Sequence, residues 1–141
     1  MEPTVPEDKH DTAIAVIIGE NTSDLILIRS RRTGLWRFPG DRIRDEDLGT
    51  DCACDRGAAA KNTVIRIARE RTGLSVRIKR IVAMHRPIGM FYGYAGLADF
   101  ARFAPRDEDT VKIFPFCDVP VSEMAPIQRI TFERVIRWIL E

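Results

Sequence analysis

Long apolar runs and a strong excess of one charge are both missing from this sequence of 141 residues. No segment has the roughly 20 consecutive apolar residues that a membrane-spanning helix needs, which argues against a membrane protein. Lysine and arginine together number 22, against 21 aspartates and glutamates, so the formal net charge is only +1. A chain with this balance exerts no long-range attraction on polyanions, and the composition therefore disfavours nucleic acid as a partner.

Cysteine and histidine are scarce as well. Cys52, Cys54 and Cys117 are an odd set with no apolar leader before them, which argues against the disulfide framework of a secreted protein. The two histidines, His10 and His85, do not supply the second tight ligand pair of a structural zinc site. The scarcity of cysteine and histidine therefore predicts a protein of the cytoplasm, with its thiols reduced.

The apolar content of the chain, at 45%, is enough for one hydrophobic core. Residues 1–11 are polar, with two prolines and four acidic residues, and we expect them to form a flexible N-terminal arm. Residues 12–141 are expected to form a single domain.

The first half of this domain has clear local signals. Two runs rich in β-branched residues, 13–18 and 25–28, flank a cluster of turn-forming residues and predict a hairpin. Residues 58–72 contain no glycine or proline, and Gly73 follows them where a helix C-terminus favours a left-handed residue. A helix is therefore predicted at 58–72.

The second half repeats this alternation of strands and helices. Strands are predicted at 76–84, 90–100 and 111–116, and a final helix is predicted at 131–140. Thr131 is the expected N-cap of that last helix. The order of the elements predicts an α/β fold built around a mixed β-sheet.

Two short motifs stand out against this background. Residues 36–41 read WRFPGD, and residues 66–74 read RIARERTGL. In their order, after a hairpin and before further strands and a last helix, they resemble the two halves of the Nudix box. The chain as a whole, over residues 12–141, thus resembles the Nudix hydrolase superfamily (MutT-like), and this resemblance implies an α/β/α sandwich around a mixed sheet.

The resemblance also implies a chemistry. In the family, the box reads Gly, five residues, Glu, seven residues, then Arg-Glu-apolar-x-Glu-Glu-x-Gly-apolar, and its helix glutamates hold a divalent metal against a diphosphate that water attacks. Carboxylates suit this task because Mg²⁺ and Mn²⁺ prefer hard oxygen ligands. The implied partner is a small nucleotide or nucleotide sugar, the implied cofactor is Mg²⁺ or Mn²⁺ if the protein is active, and a homodimer stays open.

This chain departs from the family box in its acidic residues. Asp41 takes the place of the box glycine, and Asp47 takes the place of the first glutamate. The next interval has eighteen residues in place of seven, because residues 48–57 form an insertion. The first half of the box therefore keeps a carboxylate. This carboxylate is on a shorter side chain than glutamate, and more residues separate it from the box helix.

The helix half of the box departs further. Arg66 matches the family arginine and Glu70 the second helix glutamate, but Ile67 and Arg71 replace the first and the third. A guanidinium keeps its positive charge near pH 7 and repels a dication at the same place. A single carboxylate beside a fixed cation is a poor metal site, so the box is degenerate.

The candidate site residues follow from this comparison. Glu70 and Asp47 are the candidate metal ligands, and Glu70 is the candidate catalytic residue. Arginines bind phosphate oxygens in two-point contacts, and in the family the region after the box borders the substrate groove. The candidate ligand-binding residues are accordingly Arg37, Arg42, Arg66, Arg71, His85 and Arg86.

Structural alternatives exist for two of these residues. Glu70 is expected to form an ion pair with Arg66 one helical turn earlier, in preference to binding a metal. Arg71 also fits a solvated cation that opposes the negative end of the helix dipole.

Three functions remain open from the sequence. The first is a Nudix-fold protein that binds a nucleoside-diphosphate-linked ligand with weak or absent hydrolysis. The second is an active Nudix-type pyrophosphohydrolase whose metal site is rebuilt from Glu70, Asp47 and acids of the insertion, such as Asp51 and Asp55. The third is a non-enzymatic interaction module.

Overall fold

The computed structural model describes residues 11–48, 56–85, 91–107 and 109–140. Most of the expected N-terminal arm, the acids Asp51 and Asp55 of the insertion, and Arg86 lie outside these residues. The strands are β1 (Thr12–Gly19), β2 (Leu25–Arg29), β3 (Trp36–Arg37), β4 (Gly40–Arg42), β5 (Arg77–His85), β6 (Phe91–Ala98) and β7 (Val111–Phe114). The helices are α1 (Asp45–Leu48), α2 (Arg56–Thr72) and α3 (Pro126–Leu140).

Within the described residues, the strands form one seven-stranded mixed sheet with the main order β3-β2-β1-β6-β5. β1 and β6 run parallel over their whole length, and the other pairs are antiparallel. On its other edge, β1 pairs with β2 at Ile18 and with β4 at residues 12–14. Two different partners thus share this edge of β1, and the segment 39–42 is held against the beginning of the strand.

Both faces of the sheet are covered, because the side chains of β1 alternate between two hydrophobic clusters. Ala13, Ala15 and Ile17 point to the cluster that contains the apolar stripe of α2. Ile14, Val16 and Ile18 point to the cluster that contains Phe132 and Val135 of α3. This arrangement confirms the α/β fold with a mixed sheet that the order of elements predicted, and it is the α/β/α sandwich that the family resemblance implied.

The predicted hairpin is present, with Ile18 opposite Leu25. The predicted helix at 58–72 is also present and ends as expected. Gly73 has a φ of 73°, and its N–H donates to the carbonyl of Arg69 at 3.0 Å. This left-handed residue closes the helix in the way that glycine allows without steric strain.

The prediction for the last helix was wrong at its start. α3 begins at Pro126, five residues before Thr131, and Thr131 is buried inside the helix. Proline at the first helical position loses no hydrogen bond and has a suitable φ, so it can start the helix without a threonine cap. None of the helices in the described ranges combines the length and the apolar character that crossing a membrane requires.

Candidate functional site

A cleft of about 410 Å³ opens where the start of β1, the segment 37–42, the end of α2 and the start of α3 meet. Its size lies within the range of small-molecule sites. Three of the residues around it are arginines, and one is an aspartate. The lining residues are Thr12, Ala13, Ile14, Arg37, Phe38, Gly40, Asp41, Arg42, Arg71 and Gln128.

The wall of this cleft is held by close backbone contacts. The N–H of Ala15 donates to the carbonyl of Pro39 at 2.7 Å. A Cβ atom on Gly40 would come within 2.9 Å of the Cγ2 atom of Ile14 and 3.2 Å of the carbonyl oxygen of Ala13. Glycine is therefore needed at position 40 for β4 to approach β1 this closely.

The C-terminal helix takes part in the same wall. Oε1 of Gln128 accepts a hydrogen bond from the backbone N–H of Phe38 at 3.1 Å, and Phe38 is fully buried. Gln128 is itself only 7% exposed and lines the cleft. Gln128 thus connects the segment that carries the first half of the box to α3, which lies on the other side of the sheet from the box helix α2.

Arg66 is the centre of the charged network beside the cleft. Its Nε and Nη2 atoms donate to Oδ1 and Oδ2 of Asp47, both at 3.0 Å. Its Nη1 atom donates to Oδ2 of Asp41 at 3.1 Å, and its Nη2 atom also donates to the carbonyl of Arg42 at 3.1 Å. The guanidinium thereby binds the box helix to both acidic residues in the first half of the box.

Asp47 is saturated by these contacts. Besides Arg66, its Oδ2 atom accepts from the backbone N–H of Arg44 and from the hydroxyl of Thr63, both at 2.9 Å. The residue is only 4% exposed. Burial by itself raises the pKa of Asp47, but the hydrogen bonds from Arg66, Arg44 and Thr63 outweigh it and hold the pKa below its usual value.

Asp41 is shared between two arginines. Its Oδ2 atom accepts from Arg66 and, at 2.9 Å, from Nη2 of Arg44, while Oδ1 accepts from the backbone N–H of Arg42 at 2.8 Å. Burial opposes ionisation here too, but these donors lower the pKa of Asp41 below its usual value. Asp41 is therefore an ionised partner of the arginines around it.

The box helix shows three different environments at the positions of the family glutamates. Ile67 is 1% exposed and packs in the core between α2 and the sheet. Arg71 lies one turn further along the same stripe, is exposed, and lines the cleft. Glu70 lies on the neighbouring face with 42% of its side chain exposed, and its Oε2 atom is 3.4 Å from Nη1 of Arg66.

The ion pair that we expected between Glu70 and Arg66 is thus present. Of the other candidate residues, Arg37 and Arg42 line the cleft together with Arg71. The backbone of His85 pairs with Phe91, and Phe91 pairs with Thr12 at the cleft, so His85 lies two strands away, on the order of 10 Å. Arg86 lies outside the described residues.

The donor set fits a divalent metal poorly. Among residues 11–48, 56–85, 91–107 and 109–140, no three His, Cys, Asp or Glu side chains are grouped so that they could hold an ion. Asp41 and Asp47 already accept hydrogen bonds from Arg66, and Glu70 lies within ion-pair distance of the same guanidinium. Binding a dication with these residues would require their charge-assisted hydrogen bonds to break.

Sequence reasoning did not identify Gln128, Thr63 or Arg44 as parts of this site. Thr63 lies on the same face of α2 as Arg66 and Glu70, so helical spacing could have pointed to it. Gln128 carried no local signal, because its partner Phe38 is 90 residues away in the chain.

No protein-family model matches the chain, and no curated protein matches it. Solved structures do resemble it. A mutT/nudix family protein from Listeria innocua superimposes with a TM-score of 0.71 at 14% sequence identity, over 97% of this chain and 96% of that one. A NUDIX family hydrolase from Clostridium perfringens gives a TM-score of 0.68 at 12% identity, over 94% and 99% of the two chains.

A third similar structure contains a ligand. The NUDIX domain of Shewanella oneidensis NrtR, in complex with ADP ribose, has a TM-score of 0.64 at 18% identity, over 100% of this chain and 94% of that domain. At these identities the likeness concerns the fold alone. This chain therefore has the fold of the Nudix hydrolases.

Proposed function

We propose that this protein binds a nucleoside-diphosphate-linked ligand in the cleft between β1, β4, α2 and α3, and that it hydrolyses this ligand weakly or not at all. The observation that carries the proposal is the environment of the box helix. Where the family has carboxylates, this chain has a core isoleucine at 67 and a cationic residue at 71 that lines the cleft.

The cleft favours an anionic ligand. Three arginines line it against one aspartate, and that aspartate is already bound by Arg66 and Arg44. Guanidinium groups match phosphate oxygens in geometry and keep their charge at any physiological pH. The complex of the NrtR domain with ADP ribose supports a ligand of this class for the fold.

We expect weak hydrolysis because the acidic residues near the cleft already pair with Arg66. Asp47 and Asp41 hold Arg66, and Glu70 lies within ion-pair distance of the same guanidinium. Activating water for attack on phosphorus needs a metal or a free general base near the phosphate. Asp41, Asp47 and Glu70 instead pair with Arg66, and these ion pairs stabilise the fold around the cleft.

The test combines binding with turnover. Binding of ADP-ribose and of a panel of nucleoside diphosphate derivatives is measured by thermal shift and calorimetry. Turnover is measured as release of nucleoside monophosphate with Mg²⁺ or Mn²⁺. We expect at least one ligand to raise the melting temperature, with about 2.7 kcal/mol of added stability at about 100 times its dissociation constant. We expect little monophosphate release.

Two controls make the outcomes specific. Arg37→Gln removes a cation from the cleft and should weaken binding, whereas Lys79→Gln removes an exposed cation from β5, two strands away from β1, and should not. Rapid metal-dependent turnover that Glu70→Gln abolishes would instead support an active hydrolase with a rebuilt metal site. No shift with any ligand would favour a non-enzymatic interaction module.

A further inference from the structure

We propose that Arg71, together with Arg37, binds the phosphate groups of the ligand directly and without a divalent cation. This inference rests on the proposed function, because it assigns the binding mode of the same cleft. It concerns the position of a family glutamate, residue 71, where this chain places a cation that lines the cleft.

The position of Arg71 follows from the helix. Val64, Ile67 and Ala68 form the buried stripe of α2 against the sheet, and Arg71 follows at the next turn of the same stripe. Ile67 is 1% exposed, whereas Arg71, four residues later, lies at the edge of the stripe and is exposed to solvent. Its side chain consequently lines the cleft beside the beginning of β1.

Arg71 and Arg37 differ from the neighbouring arginines in their ion pairing. Within the described part of the chain, neither Arg71 nor Arg37 forms an ion pair, whereas Arg66 and Arg44 both do. A cation that only stabilised the helix end could lie on any face of the last turn. Arg69 is such a residue, since it is exposed in the same turn and does not line the cleft.

The same geometry disfavours a metal bridge between protein and phosphate. A bridging dication would need carboxylates where this chain has Ile67 and Arg71, and it would lie close to a permanent positive charge. Two guanidiniums can neutralise a diphosphate and donate several hydrogen bonds to it. The arginines thereby take over the electrostatic role that the metal has in the family.

The test measures the affinity for ADP-ribose by calorimetry in EDTA and in Mg²⁺. We expect the wild-type protein to bind as tightly in EDTA as in Mg²⁺. Arg71→Gln should weaken binding in EDTA about tenfold or more, as expected for loss of charge-assisted hydrogen bonds. Arg69→Gln removes the same charge from the same helical turn and should stay within about twofold of wild type.

A second variant reverses the charge. Arg71→Glu adds a carboxylate next to Glu70, so we expect it to lose affinity in EDTA and to regain part of it in Mg²⁺. Because residue 71 is exposed, each variant should keep the wild-type circular dichroism spectrum and melting temperature, and this is checked first. Specific binding of Mn²⁺ to the wild-type protein, followed by electron paramagnetic resonance, is not expected.

The outcomes separate the two proposals. Binding of ADP-ribose that requires Mg²⁺ would overturn the metal-free mode and leave the proposed function intact. Equal affinities of Arg71→Gln and Arg69→Gln would overturn the role of Arg71 in phosphate binding and would also leave the proposed function intact. Absence of binding in both buffers, for ADP-ribose and for the wider panel, would overturn both proposals together.

Discussion

Arg66 and Asp47 form a two-point ion pair, in which the Nε and Nη2 atoms of the arginine donate to the two carboxylate oxygens at 3.0 Å each. The side chain of Arg66 is 12% exposed and that of Asp47 is 4% exposed. The pair joins α2 to α1, and Asn62 strengthens the same junction by donating to the carbonyl of Asp47 at 2.9 Å. The charges that the box retains therefore fasten the box helix to the segment that precedes the insertion.

Replacing Asp47 with asparagine should destabilise the protein strongly. The variant removes one carboxylate oxygen and leaves the buried guanidinium of Arg66 with Asp41 and two more exposed acids, Glu46 and Glu70, as partners. We expect the free energy of unfolding to fall by about 3 kcal/mol, near the lower end of the range for breaking a buried ion pair, because Asp41 still binds Arg66. Urea denaturation followed by circular dichroism measures this change.

The matched control for Asp47→Asn is Asp107→Asn. Asp107 pairs with Arg31 at 2.6 Å, but the two side chains are 39% and 70% exposed. Solvent screens such a pair, so this variant should stay close to wild type. Equal losses for the two variants would show that Asp47 is no more important to the fold than a surface aspartate.

The same carboxylates should make stability depend on acid. The pKa values of Asp41 and Asp47 are lowered in the folded protein, so the unfolded chain binds protons more readily below about pH 5. The stabilisation is present above the unfolded pKa of about 4 and is lost as the pH falls through the lower folded values. Urea titrations at several pH values between about 5 and 3 should show a falling free energy of unfolding, with a smaller slope in Asp47→Asn.

Restoring the family glutamate at position 67 should damage the fold. Ile67 is 1% exposed in the core, so Ile67→Glu buries an unpaired charge and should cost about 3 to 5 kcal/mol of unfolding free energy. Ile67→Val, the control, keeps the position apolar and should cost about 1 kcal/mol. Chemical denaturation compares the two, and a glutamate as well tolerated as valine would mean that this position can open to the cleft.

Gln128 offers a test of the link between α3 and the cleft. Gln128→Met keeps the volume but leaves the buried N–H of Phe38 without its acceptor, which should cost about 1 to 3 kcal/mol. Gln128→Glu keeps an acceptor and should retain more stability, yet it adds a negative charge to a cleft lined by arginines. We expect calorimetry to show weaker binding of ADP-ribose to this second variant, and undiminished affinity would contradict binding of its phosphate groups in this cleft.

The elements that could be predicted from the sequence are those stabilised by contacts between near neighbours. Three local signals predicted elements that are present in the structure. They are the β-branched run of β1, the turn before Leu25 and the glycine at position 73. The ion pair between Glu70 and Arg66 also follows from helical spacing alone. The start of α3 was missed because Thr131 is buried inside the helix, where tertiary packing outweighs its preference for a cap.

The sequence by itself predicted an α/β fold around a mixed sheet, because periodicity and residue identity are properties of the chain, and its resemblance to the Nudix box implied the α/β/α sandwich and the replacement of two helix glutamates. Only the tertiary structure decided how the remaining charges are used. Arg66 and Asp47 are 19 residues apart, and Phe38 and Gln128 are 90 apart, so their pairing depends on how α1, α2, α3 and the sheet pack. That packing commits Asp41 and Asp47 to Arg66, because a charged group that is partly removed from water needs a partner. The same packing places the exposed side chain of Arg71 at the cleft.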